Sequence, residues 1–148
     1  MKISVQNEDF DAGAEIRALA RDNKVGAVAS FVGVVREVPM TLEHYAGMTE
    51  REIAKIVEQA GARWQVMDCT VIHRFGELKP TDQIVLVAVA SAHRGDAFAA
   101  CEFIMDYLKT RAPFWKKEQR PDGARWVEAR SSDDEAAGRW EPGAKKAG

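Results

Sequence analysis

The sequence contains little cysteine and no long apolar run. Its two cysteines, Cys69 and Cys101, lie far apart within apolar patterns, which argues against a disulfide framework and a zinc site and favours a place in the core. No stretch approaches the roughly 18 apolar residues of a membrane-spanning helix, and the first residues lack the long apolar core of a signal peptide. We therefore expect a cytoplasmic protein.

Internal repeats, a glycine-rich phosphate loop and the spacings of metal ligands are also missing. Their absence argues against a repeat architecture, a P-loop nucleotide site and a metal centre. We expect neither a metal nor a bound cofactor.

The residues that are present suffice for one domain with a sizeable core, since 46% of the 148 residues are hydrophobic. We expect that domain to span residues 1–140 and a disordered tail to follow at 141–148. The net charge of −2 favours neither nucleic acid nor an anionic membrane. However, residues 109–130 contain seven Lys and Arg against three acidic residues, which points to a small anionic ligand or an acidic partner.

The apolar periodicity predicts a mixture of helices and strands. Asp11 is expected to cap a first helix, and Thr49 to begin a capping box before a second. The nearly uncharged run 26–35 predicts a strand buried on both faces, and the most hydrophobic run, 84–90, a central strand. Further predicted elements are strands at 3–5, 42–45 and 65–74, a hairpin of 114–118 with 126–129, and a short helix from Ser131 to Trp140.

A long helix is predicted to end at the main candidate site. Asp96 suits its N-cap and Pro113 its stop. Lys109 is expected on the flank of the buried stripe, partly desolvated, with its amine at the helix end. The apolar stripe is formed by Ala97, Phe98, Cys101, Ile104, Met105 and Leu108.

Two interpretations of Lys109 stay open. Desolvation and neighbouring positive charge lower the pKa of a lysine, and such an amine can exchange protons or attack a carbonyl. Alternatively, Lys109 and Arg111 merely complement the negative end of the helix dipole, with Asp106 pairing to Lys109.

A second candidate site lies at the start of the same helix. Unpaired backbone N–H groups and a partial positive charge at a helix N-terminus, together with His93 and Arg94, would form a cradle for phosphate. Alternatively, His93 packs at a strand end and Arg94 is solvated. Arg36 is expected at a sheet margin, and His44 is expected to be a half-exposed strand residue rather than a ligand.

The sequence closely resembles the large, catalytic subunit of molybdopterin synthase over about residues 3–140. The resemblance implies an α+β fold of the α/β hammerhead type, with a mixed or antiparallel sheet, packed helices and a C-terminal hairpin. It also implies a homodimer within a heterotetramer, in which each end binds a small ubiquitin-like sulfur-carrier subunit. The segments that carry the resemblance are 41–48, 71–78, 91–94, 103–118 and 125–130.

In that family, two sulfurs pass from the C-terminal Gly-Gly thiocarboxylate of the small subunit to cyclic pyranopterin monophosphate, forming the dithiolene of molybdopterin. By resemblance, the catalytic residues are Lys109 and Lys116, and both also bind substrate. The remaining substrate-binding positions implied are Val34, Val35, Arg36, His93, Arg94, Lys117 and Glu118. The link 37–41 is shorter than the loop usual in the family.

A helix of 16 residues between His93 and Lys109 is roughly 24 Å long, too long for one pterin to touch both ends. We therefore expect a pocket shared across the dimer, with Arg36, His93 and Arg94 from one chain and Lys109 with its neighbouring lysines from the other.

Two other functions compete with this interpretation. One is a non-catalytic basic module that binds an acidic protein tail or RNA, with Trp115 and Trp126 as stacking platforms. The other is a sulfurtransferase that carries a persulfide on its own Cys101.

Overall fold

A computed structural model describes residues 1–120, 123–127, 131–138 and 140–141. Within these ranges the chain forms two four-stranded sheets and four helices. The elements are β1 (Lys2–Gln6), α1 (Ala12–Leu19), β2 (Ala27–Val34), β3 (Met40–His44), α2 (Met48–Arg63), β4 (Asp68–Arg74), β5 (Gly76–Leu78), β6 (Gln83–Ser91), α3 (Arg94–Arg111), β7 (Phe114–Arg120), β8 (Gly123–Val127) and α4 (Ser131–Gly138).

The first sheet has the order β1-β4-β6-β2, with β1 and β4 parallel and the other pairs antiparallel. Alternate residues of β6 enter two cores, because successive side chains of a strand point to opposite faces. Val85, Val87 and Val89 pack with α2 and α3, whereas Leu86 and Ala88 pack on the side of α1. The prediction of a central strand at 84–90 is confirmed.

Strand β2 corrects one prediction. It is an edge strand rather than a strand buried on both faces, and the side chains of Phe31 and Val34 are 42% and 49% exposed. An uncharged sequence does not distinguish an edge strand from a central one, because the difference depends on which strand pairs with it.

The second sheet is antiparallel and has the order β5-β3-β7-β8. The predicted C-terminal hairpin is confirmed by the pairing of β7 with β8; its turn at 121–122 lies outside the described residues. A small core under this sheet is formed by Val35, Met40, Leu42 and Leu78. The mixed α+β fold expected from the sequence is confirmed.

Two helix starts differ from the prediction. Gly47, with φ of 83°, is the N-cap of α2, and its N–H donates to the side chain of Glu50 at 2.7 Å. Thr49 is instead buried, and its hydroxyl donates to the carbonyl of Tyr45. The N-cap of α3 is His93, not Asp96, whose carboxylate accepts the backbone N–H of Gln65.

The remaining helix predictions are mostly confirmed. Asp11 caps α1 by accepting the N–H of Ala14 at 3.0 Å, and α3 ends at Arg111 before Pro113. Phe98 does not belong to the buried stripe of α3, since it is 64% exposed. The predicted disordered tail lies outside the described residues from 142 onward. No helix in the described part of the chain is long and apolar enough to cross a membrane.

Candidate functional site

The two candidate lysines lie on either side of Pro113, where α3 turns into β7. Lys109 is in the last turn of α3 and is exposed rather than partly desolvated. Lys116 is the third residue of β7, and its side chain is 37% exposed. The helix ends between them because proline cannot donate the N–H that would continue it.

Lys116 and Glu118 form an ion pair on one face of β7. The Nζ atom of Lys116 lies 3.1 Å from Oε1 of Glu118, and Glu118 is only 8% exposed. Leu42 and Met40 of β3 stand opposite these two residues and are buried. Directly opposed residues share a sheet face, so the ion pair lies against the small apolar core. A carboxylate at this depth fixes the position of its cationic partner.

Lys117 points to the other face of β7, because side chains alternate along a strand. Its Nζ lies 5.6 Å from the ring centroid of Trp126, and Trp115 meets Tyr45 edge-on at 4.5 Å. The rings of Trp115, Trp126 and Tyr45 are 41%, 56% and 55% exposed. We call Tyr45, Trp115, Lys117 and Trp126 the aromatic face. The structure therefore separates Lys117 from Lys116 and Glu118.

Val35 and Arg36 follow β2 into a tight link to β3. Val35 is buried, and its N–H donates to the carbonyl of Asp82 at 2.9 Å. Val34 and Arg36 on either side of it are exposed. Glu37 has φ of 71°, and the N–H of Val38 donates back to the carbonyl of Arg36. Residues 36–38 thus form a three-residue turn with a rare, strained backbone conformation at Glu37, and this turn fixes the backbone beside Arg36.

Arg36 belongs to the same end of the molecule as the two lysines. The link that carries it is tied to β7, because the N–H of Gln119 donates to the carbonyl of Pro39 at 2.9 Å. Val35 also packs in the small core beneath Lys116 and Glu118.

His93 and Arg94 lie at the opposite end. Ala27 of β2 pairs with Ser91, two residues before His93, whereas Val34 pairs with Gln83 at the far end of β6. Both His93 and Arg94 are exposed, and the His93 side chain does not cap the helix. The prediction that grouped Arg36 with His93 and Arg94 in one chain is therefore wrong, because an antiparallel pair places the end of one strand beside the start of the other.

The sequence interpretation missed a layer of rings beside Lys109. His73 stacks on Phe114 with centroids 3.7 Å apart and planes 18° apart, and His44 lies 4.5 Å from Phe75. Burial, with a smaller contribution from the positive charge of Lys109, lowers the pKa of His73 to about 4. The alternation of strand 65–74 could have placed His73 toward the interior, but nothing in the sequence pairs it with Phe114.

Other side chains have structural roles. Arg111 donates to Gln59, approaches Glu141 at 3.5 Å and covers the ring of Tyr107, so it is turned away from Lys116. Trp140 donates its indole N–H to Asp106 at 2.6 Å. His44 is half-buried, as expected, and bonds the Thr49 hydroxyl.

Both cysteines are buried and free, as predicted. Burial raises the pKa of Cys69 to about 12 and that of Cys101 to about 11, so neither presents a thiolate at neutral pH. No group of three or more potential metal ligands occurs among the residues that the structure describes.

The sequence matches a family model described as "MoaE protein" over residues 5–111. It is 62% identical over 146 residues to a protein of Ralstonia nicotianae named "Molybdopterin synthase catalytic subunit", with 93% of this chain and 83% of the relative covered.

The fold is also similar to solved structures. The molybdopterin biosynthesis MoaE protein from Burkholderia ambifaria superimposes with a TM-score of 0.83 at 58% identity, covering 98% of this chain and all of that one. A complex of subunits 1 and 2 of the molybdopterin-converting factor from Helicobacter pylori contains the same fold, with a TM-score of 0.73 at 19% identity and coverages of 86% and 91%.

Proposed function

The chain belongs to the MoaE protein family of molybdopterin synthase catalytic subunits, and on that premise we propose how its own residues carry out sulfur transfer. The donor is the thiocarboxylated Gly-Gly end of a small ubiquitin-like subunit, and the acceptor is cyclic pyranopterin monophosphate. The observation that carries this proposal is the placement of two lysines around Pro113, one of them oriented by a buried carboxylate.

Lys109 and Lys116 are the proposed catalytic residues. Transfer of sulfur from an acyl donor requires a group that moves protons or traps the acyl carbon, and a lysine amine can do either. Glu118 restricts Lys116 to one orientation through the 3.1 Å ion pair, whereas Lys109 is exposed at the helix end and can follow the incoming tail. The sulfur arrives on the partner, which explains why neither buried cysteine is needed.

The substrate phosphate is proposed to bind between two copies of the chain. His93 and Arg94 lie at the N-terminus of α3, where backbone N–H groups favour an anion, but they are roughly 24 Å from Lys109 along the helix. Pairing of the edge strand β2 with β2 of a second copy in antiparallel fashion would remove this separation. The start of one β2 would then lie beside the end of the other, bringing His93 and Arg94 to the partner's Arg36 and Lys109.

The exposed edge strand and Phe31 support this pairing, because an unpaired edge with an apolar side chain is a template for another strand. The same arrangement gives a two-fold dimer with two equivalent pockets. With one small subunit at each end, the assembly is a heterotetramer. Val34, exposed at the end of β2, would line the pocket beside Arg36.

The small subunit is proposed to dock so that its tail reaches Lys109 and Lys116. Glycines at the end of that tail fit a narrow approach, since they carry no side chain. The aromatic face, on the reverse of β7, is exposed, and we propose that it contacts the body of this partner. Lys117, which we also propose to bind substrate, lies on this aromatic face.

Single-turnover sulfur transfer tests the proposal. Wild-type protein, Lys109→Ala and Lys116→Ala would each be mixed with thiocarboxylated small subunit and cyclic pterin, and dithiolene product measured over time. Loss of a group that moves protons typically costs about 10²- to 10⁴-fold in rate. Lys109→Ala should retain the wild-type melting temperature within a few degrees because Lys109 is exposed, whereas Lys116→Ala removes the ion-pair partner of the buried Glu118 and should melt lower while remaining folded.

Lys55→Ala is the matched control, since Lys55 is an exposed lysine whose ion-pair partner among the described residues is Glu52 of its own helix. It should transfer sulfur at the wild-type rate. Unchanged rates in both Lys109→Ala and Lys116→Ala would disprove the assignment. The alternative of a non-catalytic module that binds RNA or an acidic tail predicts no product at all, but affinity for those ligands that falls steeply with salt.

A further inference from the structure

His73 lies beside the strand that carries Lys116, and the site as described gives it no function. It is the second-last residue of β4, half-buried, with its ring stacked face to face on Phe114. Phe114 begins β7 and stands two residues before Lys116, on the same face of the strand. His73 stands opposite Val85 of β6, whose side chain packs in the core that α3 covers, so the imidazole lies on the same face of the sheet as α3 and its last turn, which carries Lys109.

The hydrogen bond of His73 fixes its tautomer. Nδ1 lies 2.9 Å from the carbonyl oxygen of Arg74, and a carbonyl can only accept, so Nδ1 carries the hydrogen. Because the ring is neutral at physiological pH, Nε2 keeps a free lone pair. No residue within the described part of the chain donates a hydrogen bond to Nε2.

The groups around the imidazole favour this neutral state. Lys109, in α3, and His44, in β3, both oppose a positive charge on His73 and so lower its pKa. The guanidinium of the adjacent Arg74 is turned elsewhere, donating to the carbonyls of Asn7 and Gln83. The surroundings therefore keep Nε2 of His73 as a hydrogen-bond acceptor in a site whose other polar groups are mostly cationic donors.

We propose that His73 is a positioning residue for Lys109. Its Nε2 accepts a hydrogen bond from the Lys109 amine when the sulfur donor and pterin are bound, while its ring holds Phe114 and so the start of the strand that bears Lys116. This inference rests on the proposed function, because it assigns His73 a role through the two catalytic lysines.

Two substitutions separate the acceptor from the ring. His73→Gln places an amide oxygen near the former Nε2 but removes the stack, whereas His73→Phe retains the stack and removes both nitrogens. If the acceptor orients Lys109, His73→Phe should lower kcat about 10- to 100-fold with little change in KM for the pterin, the loss expected for a hydrogen bond to a charged group. His73→Gln should stay within about threefold of wild type.

Thermal melting of both variants distinguishes lost rate from lost fold. A purely structural role predicts that kcat follows the melting temperature and that His73→Gln is no better than His73→Phe; either result would overturn the proposal. In a double-mutant cycle, His73→Phe should cost little further rate in the Lys109→Ala background, because its effect passes through that lysine. Fully additive losses would also overturn it.

The same measurements separate this inference from the proposed function. If Lys109→Ala alone keeps the wild-type rate, the catalytic assignment fails. If Lys109→Ala abolishes transfer while His73→Phe remains at the wild-type rate, only the positioning role fails.

Discussion

Lys116 and Lys117 are neighbours in the chain but belong to different surfaces. Lys116 pairs with the nearly buried Glu118 above an apolar core, whereas Lys117 lies over the exposed ring of Trp126. The separation follows from the alternation of side chains in β7. At the scale of single residues, the proposed sulfur transfer thus depends on which sheet face a cation occupies more than on how many cations a segment contains.

His73 provides a residue-scale prediction about stability. Its pKa is about 4 in the folded protein against about 6.5 in an unfolded chain, so between these values the unfolded state binds more protons. Stability should therefore fall as the pH drops from about 6.5 to about 4, by up to about 3 kcal/mol from this group. Urea denaturation of wild type and His73→Gln at pH 7.5 and pH 5 measures the effect.

His73→Gln is the control for the wild-type protein, because glutamine does not titrate and every other ionisable group is unchanged. The unfolding free energy of His73→Gln, relative to that of wild type, should therefore be higher at pH 5 than at pH 7.5. An unchanged difference at the two pH values would show that His73 is not held neutral by the fold.

Helix α3 explains, at the scale of elements, why two candidate sites occur so far apart. Eight of its residues are buried, among them Phe103, Ile104 and Leu108, so the middle of the helix serves the core. Its exposed basic groups lie at the two ends, with His93 and Arg94 at the start and Lys109 and Arg111 in the last turn. A helix of this length separates its functional residues by the thickness of the domain.

Helix α1 should contribute stability without contributing to sulfur transfer. Asp11 accepts the N–H of Ala14, one of the donors that a helix start leaves unpaired, so Asp11→Ala should lower the unfolding free energy by about 1 kcal/mol. Chemical denaturation checks this value, and single-turnover transfer should be unchanged. Glu8→Ala, which removes an exposed carboxylate outside the helix, should have almost no effect on either. Equal destabilisation by both changes would refute the capping role.

At the scale of the whole molecule, the two sheets contribute different parts of the protein. The first sheet supplies most of the core and the edge strand β2, and the second presents Lys116, Glu118 and the aromatic face. The proposed pocket joins them only if a second chain brings His93 and Arg94 to the end that carries Arg36 and Lys109.

Mixed dimers test this shared pocket. In dimers that combine an Arg94→Ala chain with a Lys109→Ala chain, both defects should fall in one pocket and leave the other intact. Such dimers should therefore regain about half of the wild-type rate per dimer, measured on heterodimers purified with two different tags. If they stay as inactive as either mutant homodimer, the pocket lies within one chain.

Arg36 offers the matched control, since the structure places it at the Lys109 end of the same chain. Heterodimers of Arg36→Ala with Lys109→Ala should carry one defect in each pocket. They should show no recovery, so recovery in this pair would contradict the placement of Arg36.

The sequence by itself determined most of the elements and indicated the residues of the candidate site. Its hydrophobic periods predicted the central strand, the long helix and the C-terminal hairpin, and Pro113 marked the turn between Lys109 and Lys116. These features depend on local backbone preference and on side-chain alternation, which neighbouring residues are enough to specify. The segments that resemble the molybdopterin synthase family named the same lysines.

Only the tertiary structure decided how those residues group. The uncharged sequence of β2 predicted a strand buried on both faces, but β2 is an edge strand, and this position depends on β6 pairing with β4 on the side away from β2. The antiparallel register of β2 and β6 moved Arg36 away from His93 and toward Lys109. The stack of His73 on Phe114 joins residues 41 positions apart in sequence, and no local pattern encodes such a contact, because it forms only when two different sheets pack together.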